Sequence, residues 1–214
     1  MEKDLTQALV WITQFIEGNW QAGGAALAGT FFGAFFAFLF ERRHSEKKER
    51  EANIASLKYA QLTIWAQLNG VTNIKTQVLD PTREDEHRYL TLHPSSVHAQ
   101  YPSLNVPSLV FMLRGDGTQL VADMMLAEHK FRTLVGTIEQ RNVRHEMMQR
   151  QMAQVGPEAT LDAATVAILK DMTDAVFDMS DDAFSSLNSS YKKLGAYVER
   201  EFPGVIARPE TGSH

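Results

Sequence analysis

From Gly18 to Phe40 the chain runs for twenty-three residues without a charge, and Glu41-Arg42-Arg43-His44 ends the run abruptly. At about 1.5 Å of rise per residue, a helix of that length spans roughly 30 Å, the thickness of a bilayer's hydrocarbon. The pattern predicts a transmembrane helix over 20–40. Ahead of it Leu5, Leu9, Ile12 and Ile16 fall on one helical face, with Trp11 and Trp20 close by. Residues 1–19 therefore read as a short external amphipathic segment lying along the outer surface.

Beyond the run the rhythm becomes that of a soluble helix. Leu57, Ile64, Val71 and Val78 are seven apart, with Ile54, Leu68 and Ile74 on the same side, which predicts a helix over 41–79 stopped by Asp80-Pro81. Four prolines between 81 and 107 break any periodicity, so a long loop excursion is expected there, followed by a short apolar segment that ends at Gly115-Asp116-Gly117. Over 118–153 two interleaved series return: Leu120, Ala127, Leu134, Arg141 and Met148, and Met124, Phe131, Ile138, His145 and Met152. Gly156-Pro157 closes that helix. Thr160 is placed to cap another running to about Met179, and Ser180 or Asp181 to cap a last one carrying Phe184, Leu187, Tyr191, Leu194 and Val198 on one face. No alternating apolar run suggests a strand.

The expected fold is all-α: one N-terminal transmembrane helix continuing into a cytoplasmic antiparallel bundle of four helices over 41–203. Residues 204–214 form a polar tail whose Gly212-Ser213-His214 ending reads as added to the native chain.

Within the span, Ala25, Gly29, Gly33 and Ala37 recur every four residues, and Ala22, Ala26, Thr30 and Ala34 make an adjoining small strip, while phenylalanines fill the rest. In lipid, helices gain little from apolar burial and associate where small residues let backbones approach, so the strip predicts a homo-oligomer. Two adjacent strips serve two neighbours, as a closed ring requires.

Charge sets direction. Arg42, Arg43, Lys47, Lys48 and Arg50 crowd the flank after the span, against Lys3 alone before it, which predicts the N-terminus outside and the C-terminal domain in the cytoplasm. About 170 residues past the span make one domain with a proper core. A net charge of −5 supplies no overall attraction to nucleic acid. With no cysteine there is no thiolate nucleophile or thiolate metal site. Asp85, Glu86, His87, His93 and His98 fit no metal-ligand spacing, and no phosphate-cradling loop or nucleophile elbow is present, so neither metal nor cofactor is expected.

Candidate chemistry sits where the apolar series over 118–153 is interrupted. Arg141 and His145 are the two exceptions on that stripe and, four apart, point the same way. A buried arginine needs a partner, and a carboxylate from another helix is the simplest one. Arg141-Asn142-Val143-Arg144-His145 resembles the signature of the HEPN superfamily, helical bundles in which an arginine, often followed by a polar residue, precedes a histidine on one helix. Three residues separate the pair here, where four to six are usual. The resemblance implies that Arg141, Asn142 and His145 attend the scissile phosphate of an RNA.

One span, a charged neck and a helical bundle are also similar in arrangement to uncharacterised bacterial single-span proteins. They resemble loosely the membrane accessory protein of type VI-B CRISPR systems, a HEPN-like bundle that assembles into a membrane pore. That likeness implies a bacterial inner-membrane homo-oligomer that perturbs the bilayer in an antiviral response and has a cytoplasmic protein or RNA as partner. The alternatives are a membrane-tethered ribonuclease or RNA-binding protein, and a non-catalytic scaffold.

Overall fold

The computed structural model describes residues 2–95, 101–155 and 162–205, with side chains from Thr30 onward, Val155 apart. The chain divides into two compact units, Met1–Ala52 and Asn53–His214. The long elements are the helices α1 (Glu2–Ile74), α3 (Thr118–Val155) and α4 (Ala163–Glu201), and α2 (Arg88–Thr91) is a single short turn. There is no strand among the described residues.

In the first unit α1 runs unbroken through 17–20, where the apolar pattern predicts a surface helix giving way to a separate span. No proline interrupts it, since the first proline of the chain is Pro81, and Gly18 alone does not stop a helix. No helix among the described residues is long and apolar enough to cross a membrane. The side chains described begin at Thr30, so 18–29, the first half of the uncharged run, lies outside them, as do the small residues Ala25 and Gly29. From Phe31 to Phe40 six phenylalanines stand exposed, from 48% at Phe35 to 69% at Phe31. Four of them, Phe31, Phe32, Phe35 and Phe36, meet ring to ring, as in the stacked Phe31–Phe35 pair with ring centroids 6.5 Å apart. The charged stretch after them pairs within its own helix, Arg42 with Glu46 at 2.9 Å and Lys47 with Glu51 at 3.9 Å.

The second unit holds the core. Leu57, Ile64 and Val71 of α1 are fully buried with Met124, Phe131 and Leu134 of α3 and Val176, Leu187 and Leu194 of α4, in one apolar cluster. Of the ten positions in the two series on α3, Met152 alone stands exposed. α3 and α4 run antiparallel, as their cross-helix pairs show: Lys193 meets Asp123, Lys130 meets Asp182 and Arg141 meets Thr173.

α4 is one helix where the sequence pattern predicts two. Asp162 caps it, accepting the Thr165 N–H, and Thr160 lies outside the described residues. At the expected break, Ser180 is buried and its hydroxyl donates back to the Phe177 carbonyl at 2.7 Å, so it sits inside the helix. The Asp181 carboxylate meets Lys75 and Arg83 in place of backbone N–H groups. Both cap-forming side chains therefore have other partners, and the bundle contains three long helical segments rather than four.

Between α1 and α3 the proline-rich excursion is built of short helical pieces. A π-helical turn, Lys75–Leu79, ends α1, a 3-10 turn carries Pro81, and a nine-residue 3-10 helix spans Val106–Arg114. Gly70 explains itself here. A Cβ on it would stand 2.7 Å from the Tyr101 ring, which packs edge-on against Phe131 with centroids 4.9 Å apart.

Candidate functional site

Helical spacing on α3 puts Arg141 and His145 one above the other, facing the segment 83–95 and α4. Each is 1% exposed. The Arg141 guanidinium donates through Nη2 to the Tyr89 carbonyl at 3.0 Å and through Nε to the Thr173 hydroxyl at 3.3 Å. Thr173 in turn donates to the Leu169 carbonyl of its own helix at 2.8 Å. Nη1 has no hydrogen-bond partner among the described residues. The expected carboxylate is missing too: no Asp or Glu among the described residues meets Arg141. The reason is geometric. Asp174, the acid beside Thr173, turns outward to take the Arg88 fork at 2.7 and 3.1 Å. Burial pushes Arg141 down to about 10, which leaves it charged at neutral pH.

Asn142 is half-buried and donates to the Ser95 carbonyl at 2.8 Å. His145 Nε2 lies 3.0 Å from the Gln149 amide nitrogen; with Gln149 as donor, the ring proton sits on Nδ1, which makes no hydrogen bond among the described residues. Burial lowers the His145 pKa, the Arg141 and His93 charges lower it further, and the Tyr89 carbonyl and Glu146 pull the other way. At neutral pH the imidazole is uncharged.

All three residues singled out from the sequence are thus brought together, and two of them grip backbone carbonyls of one segment. The arrangement clamps 83–95 onto α3. An acid–base pair working on a phosphate ester needs an approach to solvent, and residues 1% exposed give none.

No family model, characterised protein or solved structure matches this chain.

Two open features adjoin the clamp. A cleft of about 720 Å³ lies between 83–89 and the first half of α4, lined by Arg83, Glu86, Arg88, Lys170 and Asp174 among others. Its two arginines are already engaged. Arg88 grips Asp174 and Arg83 grips Asp80 and Asp181, while both guanidiniums lie over the Phe177 ring, 4.6 and 5.2 Å from its centroid. Asp85, grouped with possible metal ligands in the sequence, instead accepts the Thr91 hydroxyl and the His87 N–H, which hold its carboxyl below the usual range. No cluster of His, Asp and Glu among the described residues is arranged to hold a metal, and His98 lies outside them. The second feature is an apolar groove of about 520 Å³ between α3 and α4, lined by Val143, Met147, Ile168 and Met172.

Sequence reasoning missed Tyr89, Ser95, Thr173 and Gln149, the partners that give the site its shape. Tyr89 and Ser95 act through main-chain carbonyls, which leave no trace in side-chain identity.

Proposed function

We propose that this chain is a membrane-anchored homo-oligomer of the bacterial inner membrane, N-terminus outside, whose helical domain receives a cytoplasmic signal and whose assembled spans perturb the bilayer. The observation that carries the reading is the band of six exposed phenylalanines from Phe31 to Phe40. So much contiguous apolar surface on a helix is out of place in water and at home in hydrocarbon. The uncharged run over 18–40 supports a span of sufficient length, and the basic cluster after it supports the orientation. The small-residue strips Ala25, Gly29, Gly33 and Ala37 support self-association. Gly33 adds a specific point: a Cβ there meets nothing within 4 Å in the single chain, so its smallness serves no contact inside the protomer.

Thr30 is the one polar side chain between Ala22 and Phe40, so a pore built of these spans has an apolar lining and opens by wetting. The antiviral setting rests on the resemblance to the CRISPR accessory protein. Burial of Arg141 and His145 weighs against a tethered ribonuclease that uses them. Membrane fractions washed with alkaline carbonate test the anchor: the full chain should stay with the pellet, and its release into the wash would overturn the proposal. Dye leakage from liposomes holding the purified oligomer tests the perturbation.

A further inference from the structure

The helix that carries the proposed span also carries, in the second unit, an apolar seam that the bundle does not cover. Ala55, Tyr59, Leu62 and Ala66 follow each other at intervals of four, three and four. Tyr59 is 46% exposed and Leu62 63%, with Trp65 beside them at 41%, while Leu57, Ala60, Ile64 and Val71 on the other side of the same helix are buried in the core. An alternation of four and three is the spacing at which a helix receives the knobs of a second helix.

We propose that this seam packs in parallel against the same seam of a second copy of this chain, Leu62 against Leu62, joining the cytoplasmic domains of the oligomer. The inference rests on the anchored oligomer argued above, and three observations choose this occupant. Copies inserted by the same positive flank leave the bilayer in the same direction, so a parallel partner is already present at high local concentration. The charged stretch between span and seam is close to neutral, with five basic and four acidic residues over 41–51, so net repulsion between copies is small. The residues themselves fit: in a parallel pair equal positions face each other, and the large Tyr59 and Leu62 layers lie between small Ala55 and Ala66 layers.

The chain has no cysteine, so one introduced thiol reports one contact. The full-length chain in membranes, carrying Leu62→Cys or Val143→Cys, is oxidised and resolved without reductant, and wild-type chain is sized in detergent alongside. Leu62→Cys should give a covalent dimer, and Val143→Cys, an exposed apolar position in the α3–α4 groove, should not. The Leu62→Cys dimer persisting after Gly29→Leu with Gly33→Leu supports the seam as a contact separate from the small strip. An oligomer in detergent with no dimer at 62, or equal dimer at 62 and 143, overturns the seam and leaves the oligomer standing. A monomer in detergent overturns the oligomer itself and the seam with it. Capture of lipid or of another protein at position 62 by a photoreactive side chain, without a chain-to-chain product, overturns the seam alone.

Discussion

Arg141 is a buried cation held by a carbonyl and a hydroxyl, and that decides how its removal should read. Arg141→Ala leaves a cavity and an unpaired Tyr89 carbonyl and should cost about 2–4 kcal/mol of stability. Arg141→Met fills much of the same volume and relieves the burial of a charge that no carboxylate balances among the described residues. It should be at least about 1 kcal/mol less damaging than alanine in urea denaturation. Equal losses would mean that an anion matches the guanidinium. His145 gives a test by pH. Burial, with the Arg141 charge, holds its folded-state pKa below the unfolded value near 6.5, so the unfolded chain binds the proton more tightly. Stability should be full above about pH 6.5 and fall as the pH drops below it toward the folded pKa; His145→Gln should flatten that part of the profile. Neither behaviour is legible in Arg141-Asn142-Val143-Arg144-His145 itself. The sequence marks two polar residues on an apolar stripe, but the main partner of Arg141 is a carbonyl 52 positions away.

Elements show where local rules hold and where they yield. The helix over 118–153 was legible almost to the residue, because its apolar spacing and its flanking glycines are local signals. The end of α4 was legible as well: Glu201 precedes Phe202-Pro203-Gly204, and Gly204 takes the left-handed φ of +79° that favours glycine. Ser180-Asp181 misled, since cap residues mark a helix start only when no stronger partner claims them. Asp181→Asn should therefore weaken the pairing with Lys75 and Arg83 without opening α4. A loss of about 0.5–1 kcal/mol is expected, shrinking as salt is added, with unchanged helical circular dichroism. At Gly70 alanine is the better helix former by about 1 kcal/mol, yet its Cβ would meet the Tyr101 ring at 2.7 Å. Gly70→Ala should lower the melting temperature despite the gain in propensity, and pairing it with a truncated Tyr101 should reverse the sign.

At the scale of the whole molecule the prediction concerns association. Gly33→Leu, alone or with Gly29→Leu, should leave the melting of the helical domain unchanged, since a side chain at 33 meets open space in the single chain. It should also shift the detergent-solubilised protein toward smaller species on a sizing column. An unaltered oligomer would place the assembly elsewhere on the chain. The amino-acid sequence by itself determined that the chain is helical, where most helices begin and end, and which faces are apolar, because periodicity, proline, glycine and charge act over one or two turns. It also marked the uncharged run over 18–40. Only the tertiary structure decided that α4 passes through Ser180 without a break, that Arg141 and His145 are sealed against 83–95, and that Tyr59, Leu62 and Trp65 stay uncovered while Leu57 and Ile64 do not. Those outcomes depend on which surfaces meet across 30 to 110 residues of chain, and no local pattern encodes such a meeting.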